Sequence, residues 1–354
     1  MDGVLKGRGA TINPAGRFAA TTRESVDDGW YQETVPDSVA TEVRPEAARS
    51  VISRNDSPDI PFTQSINPYR GCEHGCVYCY ARPSHAYLDL SPGIDFETRL
   101  FYKADAAKVL RAELARPGYR CEPIMLGANT DPYQPVEKRL RVTRDILEVL
   151  LQARHPVMII TKGTLILRDL ELLQELAAMN LVRVTVSLTT LDAQLKRTLE
   201  PRTASPQARV RVISTLAQGG VPVGVLAAPM IPAVNDAELE QILTAAAAAG
   251  AKRAGYVLLR LPHEVKDLFR AWLDEHLPLR AEHVMSLVQQ SRGGRDNDPR
   301  FGQRMRGTGA WAEMLRARFE LARKRLGLNA DRDPKLDTTR FCAPRGHGQL
   351  ELDW

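Results

Sequence analysis

The stretch Asn67-Pro68-Tyr69-Arg70-Gly71-Cys72-Glu73-His74-Gly75-Cys76-Val77-Tyr78-Cys79-Tyr80 spaces three cysteines as C-x3-C-x2-C, directly after a short apolar and β-branched run at 62–67. A strand that opens into such a loop delivers three thiols to one place. A closed structural zinc site wants a fourth protein ligand, usually from a second C-x2-C or H-x3-H pair, and no such pair follows at finger-like distance. His74 and His85 are the residues that would complete a zinc site. A 4Fe-4S cluster takes one ligand at each iron, so three cysteines leave one iron open to an exogenous ligand. Arg70, Gly71 and Gly75 would let the loop turn tightly and offer backbone N–H groups to bound sulfur.

Downstream, short β-branched or apolar runs alternate with helix-length amphipathic segments, the pattern of βαβ units on a parallel sheet. Strands are expected at 62–67, 123–128, 157–161, 182–188, 221–228 and 254–261, with helices at 104–115, 142–153, 167–179, 206–217 and 237–249. Asp236 is placed to cap the Ala-rich helix, Gly250 to end it, and Gly219-Gly220 to close the helix before. Six strands, each followed by a helix, fit an α/β fold built as a partial (β/α)6 TIM-like barrel. No glycine-rich dinucleotide fingerprint opens the series, which weighs against a doubly wound sheet.

Three regions follow. Residues 1–61 are polar and rich in Gly, Pro, Ser and Asp, and read as an irregular N-terminal arm, with Trp30, Tyr31, Val35, Val39 and Val43 as candidates for packing on the body. Residues 62–290 form the barrel core, including helices at 264–276 and 281–290. Residues 291–354 hold a basic loop, a helix at 309–326 and a tail, a helical C-terminal extension that would cover the barrel or pack around its outside.

The chain has 354 residues, 44% hydrophobic and 26% charged, enough for a substantial core. The first twenty residues lack a continuous apolar segment, and no run of about 18 apolar residues follows, so a cytoplasmic location without a membrane partner is expected. Five cysteines, three of them within eight residues, point to metal ligation or catalysis rather than disulfides. A net charge of +5 suits a polyanionic partner without requiring one.

The cysteine spacing, the strand before it and Tyr78 ahead of the third cysteine resemble the radical S-adenosylmethionine (radical SAM) superfamily. The segment Thr130-Asp131-Pro132-Tyr133-Gln134-Pro135-Val136-Glu137 is similar to the spore photoproduct lyase-like, or DNA repair photolyase-like, branch, over roughly residues 60 to 300. The resemblance implies a [4Fe-4S] cluster on Cys72, Cys76 and Cys79. S-adenosyl-L-methionine would chelate the open iron and be cleaved reductively to methionine and a 5′-deoxyadenosyl radical. It further implies an electron donor such as flavodoxin or ferredoxin.

By the same resemblance, cofactor contacts fall to Tyr78, to Asn129, Thr130 and Asp131 after the second strand, to Lys162 and Ser187 after the third and fourth, to Arg202 against the methionine carboxylate, and to Ile231 against the adenine. This chain lacks the Gly-Gly-Glu type turn that many superfamily members carry after the second strand. The lyase's hydrogen-donating cysteine has its counterpart at Ala128, so its thiol step does not carry over. Cys121, at the start of that strand, reads as a small buried hydrophobe.

Nucleic acid is the substrate class that the resemblance suggests, with a peptide or small metabolite, or a non-catalytic zinc or iron-sulfur module, as alternatives. Arg292, Arg295, Arg300, Arg304 and Arg306, with Phe301 and Trp311, mix cations and aromatics as a nucleic-acid surface does, and a solvated basic loop has the same composition. Lys138, Arg139, Arg141 and Arg144 read as a solvated helix face. Tyr69, Tyr80, His85 and Tyr87 flank the cysteine loop.

Overall fold

A computed structural model describes residues 6–19, 39–330 and 335–344. Ten strands occur among them: β1 (Glu42–Glu46), β2 (Ile52–Arg54), β3 (Gln64–Ile66), β4 (Tyr69–Arg70), β5 (Arg99–Lys103), β6 (Ile124–Leu126), β7 (Val157–Thr161), β8 (Val182–Ser187), β9 (Val223–Met230) and β10 (Arg253–Leu258). The main sheet has the order β10-β9-β8-β7-β6-β3-β2. Its six parallel strands are the six expected from the sequence, and neighbours in the sheet follow one another in the chain. That order is the one a (β/α) barrel takes and a doubly wound sheet does not. The strands are apolar because both faces are covered: Val157, Val182, Val184, Val225 and Ala227 all lie in one core with the inner faces of the helices.

Local chemistry sets the helix ends. In Pro206–Gln218 the Ser205 hydroxyl accepts the Ala208 N–H, Pro206 occupies the first turn, and Gly220 leaves with φ +75°. Gly250 ends the next helix at φ +99°. Asp236 does not cap that helix, which starts at Leu239 after a short 3-10 turn. Its carboxylate instead receives the Trp311 indole N–H at 3.1 Å, and its carbonyl receives Arg318. Those bonds pin helix Ala310–Arg325 to the outside of the barrel, where Phe319 and Tyr256 rings meet at 4.8 Å.

The region 1–61 is more regular than its composition suggests. β1 pairs in parallel with β5, and β2 adds to β3 as an antiparallel edge strand. β1 shows no apolar alternation because its residues are exposed or half-buried, so long-range pairing defines it. Val39 and Val43 pack on the body as expected, whereas Trp30, Tyr31 and Val35 lie outside the described residues.

Helices Val265–His276 and Ala281–Gln290 form a second core that takes in Val77 and Tyr78 of the cysteine loop together with Leu199 and Ile231. Burial of each such side chain contributes about 1.5–3 kcal/mol relative to exposure, so this core anchors the loop as well as the helices. Among the described residues no helix is long and apolar enough to cross a membrane.

Candidate active site

Cys72 and Cys76 are buried, Cys79 is half-buried, and all three are free thiols. Burial is the largest influence on each and pushes its pKa up. Cys76 and Cys79 raise Cys72 further, and Cys79 raises Cys76, so the three share one neighbourhood. A thiophilic metal would displace their protons on binding. Among the described residues, no three His, Cys, Asp or Glu side chains converge on a point that would hold one ion. Ligands of a cubane go to separate irons and need no common point, so three soft donors without a fourth fit a cluster with one open iron. The two histidines that would complete a zinc site are engaged elsewhere. His74 Nδ1 lies 3.3 Å from Asp131 and His85 Nε2 meets the Arg99 carbonyl at 2.9 Å.

The loop is held from several sides. Gly71 and Gly75 adopt φ +77° and +66°. A Cβ on Gly71 would lie 2.8 Å from the Phe96 carbonyl oxygen, and one on Gly75 would lie 2.6 Å from Glu97 Oε2, so glycine is required for space as well as conformation. Gln134, fully buried, accepts the Glu73 N–H at 2.9 Å and donates to the Gly71 carbonyl at 3.2 Å. Arg82, also fully buried, donates to the Cys76 carbonyl at 2.9 Å and pairs with Glu97. Glu97 in turn accepts the N–H groups of Gly9 and Ala10 at 3.0 and 2.9 Å, tying residues 6–19 beneath the loop.

A polar cluster faces the thiols from the strand ends. Lys162, one residue past β7, donates from Nζ to the Ser187 hydroxyl at 2.5 Å and lies 3.6 Å from Glu200. The Tyr78 hydroxyl donates to Glu200, whose other carboxylate oxygen is paired with the buried Arg209. Thr189 donates to the same carboxylate at 2.7 Å. Burial by itself would raise the Glu200 pKa, but the charges of Arg209 and Lys162, with hydrogen bonds from Arg209 and Tyr78, hold it down at about 2. The Lys162 charge also acts downward on Cys76 and Cys79, and its ammonium lies 6.0 Å from the centre of the ring of Tyr78, the residue before Cys79.

Of the residues expected to touch a cofactor, the structure brings Tyr78, Lys162 and Ser187 into this cluster beside the thiols. Asp131 sits next to it, half-buried, with its carboxylate spent on Thr161 Oγ1 at 2.6 Å, the Lys162 N–H at 2.7 Å and the Tyr133 N–H at 2.9 Å. Burial would raise its pKa, yet His74, Thr161 and Lys162 hold it below the ordinary value. Thr130 is buried and donates to the Tyr69 carbonyl at 3.2 Å, while Asn129 is exposed and its N–H meets Asn67 at 2.8 Å. Arg202 pairs with Glu73 at 3.2 Å, and its N–H reaches the His74 carbonyl. Ile231 is fully buried in the second core, with no face open to a base.

Other expectations change. Cys121 is half-buried rather than buried, its thiol pushed up to about 12 by burial and then by Glu122. Arg292 is no solvated loop residue: it is 2% exposed and donates to the carbonyls of Leu259, Gln303 and Arg304. Arg144 bridges Asp169, Glu148 and Glu171. Tyr69 belongs to the core and His85 is buried, whereas Tyr80 and Tyr87 are exposed. Gln134, Arg82, Glu97, Thr189 and Arg209 were not singled out from sequence. Gln134 and Glu137 stand inside the quoted Thr130–Glu137 segment, and that position was the available signal.

The Radical SAM superfamily model matches residues 66–246. An uncharacterised protein of Mycobacterium tuberculosis is 43% identical over 216 residues, covering 60% of this chain and 64% of the relative, so the match leaves more than a third of that protein unspanned. An uncharacterised protein of Methanocaldococcus jannaschii is 27% identical over 173 residues, 49% of this chain and 62% of the relative. Among solved structures, a spore photoproduct lyase variant superposes with a TM-score of 0.60 at 14% identity, covering 81% of this chain and 80% of that one, a likeness of fold. With the matched region spanning β3 to the helix after β9 and containing all three cysteines, the chain belongs to the radical SAM superfamily.

Proposed function

We propose that this protein is a radical SAM enzyme in which Cys72, Cys76 and Cys79 hold a [4Fe-4S] cluster, and that it acts on nucleic acid. The observation that carries the first part is that one loop brings three free thiols together, two buried and one half-buried, beside the Lys162, Ser187 and Tyr78 cluster. When bound, the cluster and S-adenosylmethionine together supply a 5′-deoxyadenosyl radical.

The chain's own residues have distinct tasks in this reading. Lys162 gives a fixed positive charge for the cofactor carboxylate, held in place by Glu200. Ser187 and the Tyr78 hydroxyl orient the ribose side. Gln134, Arg82 and Glu97 keep the loop closed, and the second core over Val77 excludes water from one flank. Tyr80 stands at the open flank, 46% exposed, with its hydroxyl donating to the Ala128 carbonyl. Support for nucleic acid comes from the arginines at this flank and from the fold shared with spore photoproduct lyase, which has been seen complexed with dinucleoside spore photoproduct.

Anaerobic reconstitution with iron and sulfide analysis tests the cluster assignment. Cys72→Ala, Cys76→Ala and Cys79→Ala should each lose the cluster absorbance, whereas Cys121→Ala and Cys342→Ala should keep it. Retention in any of the first three would overturn the ligand set. The nucleic-acid half of the reading fails if cofactor cleavage is stimulated by a peptide or small metabolite and never by DNA or RNA.

A further inference from the structure

Arg260 follows β10 at the carboxyl end of the sheet, on the flank where Tyr80 is exposed. Its guanidinium carbon lies 5.2 Å from the centre of the Tyr80 ring. Its Nε is buried without a hydrogen-bond partner, and NH1 meets only the Met305 sulfur at 3.8 Å. Among the described residues no carboxylate stands within ion-pairing distance of it, in contrast to two arginines of the 300–306 segment. Arg304 pairs with Asp59 at 2.5 Å and donates to Ser57, and Arg300 pairs with Asp298. Asp59 is fully engaged, since its second oxygen accepts the Gly302 N–H at 2.7 Å. A guanidinium drawn partly out of water without an anion is costly, and an incoming anion recovers that cost.

The surroundings say what kind of anion fits. Phe301 is 58% exposed with Arg304 stacked 4.6 Å from its ring centre, so two arginine and aromatic pairs stand on this flank, with Tyr80 and Phe301 both open to solvent. Arg292 anchors the Leu259 carbonyl, next to Arg260, and the carbonyls of Gln303 and Arg304, which fixes both segments relative to each other. Fixed cations interleaved with exposed rings bind a chain of phosphates carrying stackable bases better than they bind a carboxylate.

We propose that Arg260, with the exposed rings of Tyr80 and Phe301, forms a subsite for one nucleotide of a single-stranded or extruded nucleic-acid segment, the guanidinium taking the phosphate and the rings the sugar or base. The proposal rests on the reading of this chain as a nucleic-acid-directed radical enzyme and adds the group that meets the backbone.

The test uses the reconstituted full chain and a fluorescein-labelled single-stranded oligothymidylate of about ten nucleotides, with anisotropy read at several salt concentrations. Arg260→Gln should weaken binding roughly 10-fold and reduce the slope of log affinity against log salt by about 0.7, the share of one single-strand phosphate contact. Phe301→Ala should weaken binding by a similar factor and leave the slope unchanged. Iron content and oligonucleotide-independent cofactor cleavage should stay at wild-type level in both. Equal affinity and slope in Arg260→Gln would overturn the proposal, as would failure of the wild type to bind the oligonucleotide or a preference for an acidic peptide. Loss of cluster or of cofactor cleavage in the wild type would instead sink the broader reading, and oligonucleotide binding would still report on Arg260 by itself.

Discussion

The ammonium group of Lys162, at the end of β7, donates to the hydroxyl of Ser187, at the end of β8, at 2.5 Å. Adjacent parallel strands bring them together, with Thr161 in register with Val186. Their contact belongs to one polar cluster with Glu200, which lies 3.6 Å from the lysine ammonium and balances its charge.

Lys162→Ala should therefore weaken binding of S-adenosylmethionine, measured by equilibrium dialysis on reconstituted protein, by roughly 10- to 100-fold, the loss of a charge-assisted contact. Ser187→Ala should cost less, roughly 10-fold. Iron content should be unchanged in both, since neither residue is a proposed ligand. Unaltered cofactor affinity in both variants would remove them from the binding site.

Gly75→Ala should impair cluster assembly. The new Cβ would press on the Glu97 carboxylate at 2.6 Å in a φ +66° conformation, and Glu97 is what holds Arg82 and the Gly9 and Ala10 amides. Gly118→Ala is the control, because Gly118 has φ +78° and nothing within 4 Å. Both variants carry the backbone cost of about 1 kcal/mol, but only Gly75→Ala should reconstitute with less iron. Equal iron in the two would show that the brace does not shape the loop.

Far from the thiols, His155 is fully buried, with Nε2 2.8 Å from the Tyr119 hydroxyl and Phe341 packed edge-on. Burial pushes its pKa down to about 4 from 6.5. Between those values the unfolded chain binds one more proton than the folded one, so stability is full above about pH 6.5 and falls as pH drops toward 4. The loss approaches roughly 3 kcal/mol. Urea unfolding of the wild type and of His155→Gln across pH 7.5 to 5 checks this: the variant's stability should depend less steeply on pH. Parallel curves would mean that the imidazole is not buried neutral.

How much of this was legible in the sequence depends on where the information resides. The six parallel strands declare themselves through β-branched runs, because both faces of the sheet are covered and the apolar signal is continuous. β1, β2, β4 and β5 are not legible there, since short or partly exposed strands form by pairing with distant partners. The cysteines stood out because spacing in one loop is local information. Glu97, Arg82 and Arg209 did not, because a buried charge looks like a surface charge until its partner is known. Lys162 and Ser187 were expected and do come together, whereas the bonds that occupy Thr130 and Asp131, and the burial of Ile231, are tertiary facts.

The central claim is tested most directly by 5′-deoxyadenosine formation in protein reconstituted to about four irons per chain, reduced with dithionite in the presence of S-adenosylmethionine. Wild-type protein is predicted to yield 5′-deoxyadenosine and methionine, and Cys76→Ala to yield neither. A fully loaded cluster that binds the cofactor but leaves it intact, or equal product from Cys76→Ala, would contradict the assignment.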